Sequence, residues 1–253
     1  MSTEGTGQVA IITGAGRGIG EAMARRFAAT GMRVVALDKD GPAVQSVVDS
    51  ITASGGKAAA VTADLLEDDA ADRMVRCALD AFGRIDVLVN NAGIAPLIGF
   101  LETTKKQLRD MMAINFDMQF TATQAAVRQM IAQGDGGVII NLGTINSLIG
   151  MNRTAAYAAS KGALMAFTRA LAVELAPHRI RVNSLVPGTI MTERVVNMLT
   201  KDEVDRRIAH VPLGRLGQED DVTGCALFLA GPDAKFVNGQ VLVADGGFTI
   251  LGA

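Results

Sequence analysis

The chain has 253 residues, 49% of them apolar, and 24 Lys and Arg stand against 26 Asp and Glu for a net charge of −2. That length and apolar share suit one large α/β unit with a sizeable core and exclude a disordered or fibrous chain. The near balance of charge leaves no basic footprint for nucleic acid or an anionic membrane surface, so neither is expected as a partner.

The opening "MSTEGTGQ" reads as a polar tail rather than a leader. From there short β-branched runs alternate with longer segments of helical period. Strands are predicted at 8–13, 33–37, 58–63, 86–90, 137–142, 181–186 and 240–244, and helices at 18–30, 41–54, 67–82, 104–133, 154–176 and 219–230. Most of the strands are almost continuously apolar, as strands covered on both faces must be. The alternation predicts a doubly wound, seven-stranded parallel sheet with helices on both faces, in a single domain spanning 1–253. Residues 187–218, between the last two strands, fall at the carboxyl edge of the sheet, where ligands bind in such folds, and are expected to form a substrate lid. The longest uncharged stretch, 136–152, is interrupted by Gly and Asn, so no membrane span is expected. Cys77 and Cys225 are isolated and suit free thiols in a reducing cytoplasm. Only His178 and His210 are present, without metal-ligand spacing, and no metal is expected.

Two stretches carry chemistry. "TGAGRGIG" (13–20) follows the first strand and opens the first helix. Its glycines permit a tight turn and close approach of backbone to a pyrophosphate, which the helix N-terminus would meet with free N–H groups. Asp38 ends the second strand, 18 residues beyond Gly20, where a carboxylate can take both ribose hydroxyls of an adenosine and repel a 2′-phosphate. Arg17 and Lys39 favour the phosphate instead. The carboxylate at the 2′ position should outweigh exposed cations, so NAD is expected before NADP. The second stretch is "YAASK" (157–161), which holds the only tyrosine of the chain. Tyr157 and Lys161 are i, i+4 on a predicted helix and share a face. An ammonium beside a phenol lowers its pKa and equips it for proton exchange with an alcohol or carbonyl. A bare pair of this kind is also compatible with a tyrosine hydroxyl merely capped by a surface lysine.

These stretches, with "NNAG" (90–93), Asn115 and "PG" (187–188), occur in an order and at a spacing that resemble the short-chain dehydrogenase/reductase family along essentially the whole chain. The resemblance implies a Rossmann-type fold, an NAD(P) cofactor, hydride transfer between a secondary alcohol and a ketone, and a homo-oligomer, dimer or tetramer. By the same resemblance Tyr157 is the acid/base, and Lys161 holds the nicotinamide ribose and lowers the tyrosine pKa. Asn115 positions a water in a proton relay. The implied cofactor contacts are Gly14, Arg17, Gly18, Ile19, Gly20, Asp38, Asp64, Leu65, Asn91, Ala92, Gly93, Tyr157, Lys161, Pro187, Gly188, Ile190 and Thr192. The family usually has serine 13 residues before the tyrosine, where this chain has Thr144; threonine offers the same hydroxyl with a stiffer χ1, and Ser147 is the substitute if the loop is shifted. Thr144, Asn146, Ser147 and Tyr157 are therefore the expected substrate contacts.

The same geometry places Ile94, Ala95, Pro96, Leu97, Leu148, Gly150, Met191, Val195 and Met198 around the substrate. Most are apolar, so a neutral or apolar alcohol or ketone is expected, unless Arg153 or Arg194 points into the cleft. Met111, Met112 and Met118 lie on the long fourth helix and are expected either at a subunit contact or in the chain's own core. An NADPH-dependent 3-oxoacyl-[acyl-carrier-protein] reductase shares nearly every motif and is the alternative. A non-catalytic nucleotide-binding protein is disfavoured by the intact Asn115, Tyr157 and Lys161.

Overall fold

Strand and helix alternate along the chain because the hydrophobic period switches repeatedly between continuous apolar runs and one-sided stripes. A computed structural model describes residues 7–251; the two ends of the predicted unit, 1–6 with most of the polar tail and 252–253, lie outside the described residues. The strands are β1 (Val9–Thr13), β2 (Arg33–Asp38), β3 (Lys57–Thr62), β4 (Val87–Asn90), β5 (Gly137–Leu142), β6 (Ile180–Pro187) and β7 (Val241–Ala244). The helices are α1 (Gly18–Ala29), α2 (Gly41–Ala53), α3 (Ala70–Phe82), α4 (Lys105–Met112), α5 (Met118–Gln133), α6 (Ala155–Glu174), α7 (Glu193–Met198), α8 (Lys201–Ile208) and α9 (Glu219–Ala230).

All seven strands pair in parallel in the order β3-β2-β1-β4-β5-β6-β7. The seven-stranded doubly wound sheet read from the sequence is the sheet observed. Each strand feeds two cores, because successive side chains point to opposite faces. On β1, Ala10 and Ile12 pack with Met23 and Phe27 of α1, Val47 of α2 and Leu229 of α9. Val9 and Ile11 pack on the other face with Met74 of α3, Met130 of α5 and Ala172 of α6. Burial of Phe27, which is completely inaccessible, stabilises by roughly 1.5–3 kcal/mol.

Two stretches differ from expectation. The helix read as 104–133 is two helices joined by a wider π turn at Ala113–Asp117, which interrupts the i→i+4 ladder around Asn115. The segment between β6 and α9, read without helices, contains α7 and α8. Thr192 and Thr200 accept hydrogen bonds from the Val195 and Glu203 N–H groups at their starts, and Glu203 closes a capping box with Thr200. The strand order reverses between β1 and β4, so the loops leaving these two neighbours part and open a crevice at their carboxyl ends.

Candidate active site

The crevice is a cleft of about 890 Å³. Its walls include Gly14, Arg17, Gly18, Ile19, Gly20, Asp38, Asp64, Leu65, Asn91, Ala92, Gly93, Thr144, Asn146, Tyr157, Lys161, Pro187, Gly188, Ile190 and Thr192. Of the residues expected at the chemistry, the cofactor or the substrate oxygen, only Asn115 and Ser147 are absent from these walls.

At one end the chain leaves β1 through the glycine turn. Gly18 has φ +56, which favours glycine, and a Cβ on Gly20 would stand 2.1 Å from the Gly14 carbonyl oxygen. The turn must therefore stay bare of side chains. Arg17, the residue before α1, is extended, and no side chain caps the helix. The first-turn N–H groups are left for an anion from the cleft, a cradle that fits a pyrophosphate. Asn91 braces the turn from behind, its Nδ2 donating to the Thr13 and Gly14 carbonyls at 2.9 and 3.0 Å. Asp38 accepts from the Gly16 N–H at 2.9 Å through one oxygen and from the Asp40 N–H at 3.1 Å through the other. Its carboxylate is thereby held at the tip of β2. Asp64 likewise accepts from the Leu66 N–H at 3.1 Å.

At the other end, the first turns of α6 present Tyr157 and Lys161 to the cleft. Lys161 is buried, and its Nζ donates to the Leu142 carbonyl at 2.8 Å. Burial lowers its pKa from 10.5 to about 8. Burial raises the pKa of the Tyr157 phenol, while the Thr144 hydroxyl beside it and the charge of Arg194 pull in the opposite direction and lose. This corrects the expectation that Lys161 lowers the tyrosine pKa in the protein alone: the ammonium is turned to a backbone carbonyl, and desolvation dominates the phenol.

Asn115 lies one layer behind, in the π turn, wholly buried. Its Oδ1 accepts from the Ile94 N–H at 2.9 Å, and its Nδ2 donates to the Ile94 carbonyl at 3.0 Å and to Ser160 Oγ at 3.1 Å. Ser160 in turn donates to the Tyr157 carbonyl at 2.8 Å. The Ser160 hydroxyl thus ties the Asn115 turn to the tyrosine's helix. Gly93 separates Asn115 from Lys161, since a Cβ there would meet Asn115 Oδ1 at 2.8 Å and Lys161 Nζ at 3.4 Å.

Thr144 faces the cleft and accepts from the Asn146 N–H at 3.3 Å. Ser147 does not line the cleft, and its buried Oγ has no hydrogen-bond partner among the described residues, so no shift of the loop brings it forward. Ile94, Ala95, Leu97, Val195 and Met198 line the cleft, whereas Pro96, Leu148, Gly150 and Met191 do not. Of the two cations that would count against an apolar substrate end, one reaches the cleft. Arg194 of α7 lines the cleft and donates to the Ala95 carbonyl at 2.9 Å, and Arg207 of α8 lines it as well. Arg153 stays outside, 4.0 Å from Glu102. Among the described residues no group of three or more His, Cys, Asp or Glu is placed to hold a metal, and no helix is long and apolar enough to cross a membrane.

A parallel sheet with a bare glycine turn and an uncapped helix N-terminus at its switch point defines a Rossmann-type fold. A family model described as enoyl-(acyl carrier protein) reductase matches residues 14–249. The chain is 39% identical over 245 residues to an L-rhamnose 1-dehydrogenase (NAD(P)(+)) of Azotobacter vinelandii, covering 95% of this chain and 96% of the relative. It is 38% identical over 248 residues to a 3-oxoacyl-[acyl-carrier-protein] reductase of Synechocystis, covering 97% and 98%. A 7α-hydroxysteroid dehydrogenase solved with NADH and 7-oxo glycochenodeoxycholic acid superposes with a TM-score of 0.93 at 34% identity, covering 97% of this chain and 95% of that one. The chain belongs to the short-chain dehydrogenase/reductase family and is an oxidoreductase of that family.

Proposed function

We propose that the protein is an NAD(H)-dependent oxidoreductase that interconverts a secondary alcohol and a ketone, with Tyr157 as its acid/base. The observation that carries this reading is the meeting of Thr144, Tyr157 and Lys161 in the cleft onto which the bare glycine turn opens. The glycine turn and the α1 N-terminus would hold the pyrophosphate and Asp38 the adenosine ribose. Asp64 and Leu65 would meet the adenine, Asn91 to Gly93 the sugar side, and Pro187, Gly188, Ile190 and Thr192 the carboxamide. Bound there, the nicotinamide supplies or accepts the hydride. Everything else falls to the chain. Thr144 offers its hydroxyl to the substrate oxygen. Tyr157, with its pKa raised by burial, holds its proton at neutral pH and can give it to a carbonyl oxygen. Lys161, at about 8, is near enough to neutral pH to pass a proton on toward the Asn115 side of Gly93. The segment 187–218, with α7 and α8, would act as the lid of a cytoplasmic enzyme whose Cys77 and Cys225 are unpaired.

Asp38 supports NAD over NADP, because a 2′-phosphate would meet a carboxylate already fixed by two N–H donors. Arg17 and Lys39 line the same end and favour the second reading, an NADPH-dependent 3-oxoacyl-[acyl-carrier-protein] reductase like the Synechocystis relative. The test is titration of NADH and NADPH, followed by the nucleotide's own fluorescence, into wild type and Asp38→Ala, with turnover of secondary alcohols by wild type and Tyr157→Phe. The expected result is NADH preference that collapses in Asp38→Ala, and a Tyr157→Phe enzyme that binds NADH but loses about 10²–10⁴-fold in kcat. Preference for NADPH would promote the second reading. Failure to bind either nucleotide would remove both.

A further inference from the structure

We propose that Arg194 sets substrate specificity by taking a carboxylate, so that the substrate is a hydroxy acid or the corresponding oxo acid. This deepens the reading of the cleft as an alcohol/ketone site and rests on it.

Arg194 is the second residue of α7, on the segment that crosses from β6 to β7. Its side chain is exposed enough to extend into water, yet it reaches over the cleft to the backbone carbonyl of Ala95, on the loop after β4, at 2.9 Å. A guanidinium has five N–H donors, and this contact uses one, so the fork remains open to a bidentate acceptor. No carboxylate of the described residues lies within 4.0 Å of it: the ion pairs use Arg25, Arg73, Arg84, Arg153, Arg215 and Lys106. Its charge is felt at the Tyr157 phenol, which puts it at the reacting end of the cleft.

A second guanidinium reinforces the field. Arg207 of α8 is half-buried, lines the same cleft, donates to Thr189 Oγ1 at 3.3 Å and has no carboxylate partner among the described residues either. Of the acids that line the cleft, Asp38 and Asp64 close turns at the ends of β2 and β3, the adenosine end in this reading, and only Glu193 comes from the lid. Two unpaired guanidiniums against one carboxylate make the lid side of the cleft attractive to an anion. The planar fork matches a carboxylate in shape as well as in charge. The carboxylate itself does not react. It would fix which way round the substrate lies while, in the reducing direction, the carbonyl carbon takes a hydride from the nicotinamide and its oxygen takes the proton that Tyr157 holds.

The test pairs an acid with its neutral counterpart. Turnover of 3-hydroxybutanoate and of its methyl ester is measured with NAD for wild type, Arg194→Met and Arg194→Lys. Binding of D-gluconate and of D-glucitol to the NADH complex is measured by calorimetry. The wild type is expected to favour the acid at least 10-fold in kcat/KM, and Arg194→Met to lower that ratio at least 10-fold, mainly through KM, with partial recovery in Arg194→Lys. An unchanged ratio in Arg194→Met, or a loss of NADH affinity with the ratio unchanged, overturns the proposal and leaves the oxidoreductase reading standing. If neither compound is turned over, the calorimetry decides: a wild type that binds gluconate no better than glucitol overturns it.

Discussion

Lys161 carries a charge where charge is penalised. The unfolded chain holds this ammonium in water with an ordinary lysine pKa, whereas the folded protein holds it at about 8. Between those values the folded state binds fewer protons than the unfolded one, so this group makes stability rise with pH across the window. The cost of keeping the ammonium buried, about 3 kcal/mol from the size of the shift, is fully present below pH 8 and fades above it. Tyr157 acts in the opposite sense: its raised folded pKa contributes stability that is full below its ordinary value and lost at higher pH. Lys161→Met keeps the apolar stem and removes the charge. In urea unfolding of the cofactor-free protein, the stability difference between this variant and wild type should move by about 2 kcal/mol in favour of wild type from pH 7 to pH 10. Parallel pH curves would show that the lysine is not desolvated. The i, i+4 spacing of Tyr157 and Lys161 is legible in the sequence, but the direction of the tyrosine's shift is not. Burial of the phenol decides it, and the Lys161 ammonium that would oppose it is turned to the Leu142 carbonyl, 19 residues before the lysine.

At the scale of elements, the parallel sheet is legible because most of its strands are buried on both faces and read as nearly continuous apolar runs. Less legible were the two places where the site departs from regular structure. The π turn at Ala113–Asp117 leaves the helical period nearly intact on either side, so the sequence reads as one long helix. Helices α7 and α8 are only six and eight residues long, too short for a period to stand out, yet "TKDE" at 200–203 spells the capping box that starts α8 and is a signal the pattern did contain. The glycine turn was read for its chemistry, and the structure adds its steric limit. In Gly20→Ala the new methyl would press on the Gly14 carbonyl at 2.1 Å and Asn91 Nδ2 at 2.5 Å, both parts of the turn itself. Loss of about 1–3 kcal/mol of stability is expected, with at least a 10-fold loss of nucleotide affinity, read by denaturant unfolding and NADH titration. Gly224→Ala is the control: it lies exposed within α9 and its Cβ would meet nothing within 4 Å, so it should gain roughly 0.5–1 kcal/mol. If both variants behave alike, the turn is not the tight cradle described.

For the whole molecule, the question is what covers the apolar surface that the chain leaves outside its two cores. Of the two readings open for Met111 and Met118, the chain's own core is the one observed, for they are 2% and 6% exposed; the helix face that remains outward is a different one. On α5 and α6, Phe120 is 42% and Val173 77% exposed. Phe120 lies against Phe167 at 5.4 Å and Phe116 at 6.3 Å between ring centroids, with the rings tilted. A second outward surface lies at β7, the last strand of the sheet, whose Val241–Ala244 are only half-buried and whose far side pairs with no strand among the described residues. An unprotected edge of this kind is usually covered. Two separate surfaces of this sort allow two different two-fold contacts, and together these close a tetramer. Light scattering on the eluting peak should therefore give about four times the 26.4 kDa chain mass. Phe120→Glu, which places a charge in the α5–α6 contact and spares β7, should halve that mass while leaving the helical circular dichroism unchanged. A wild-type mass of one chain would mean that both surfaces stay in water, and a variant that remains tetrameric would move the contact away from α5.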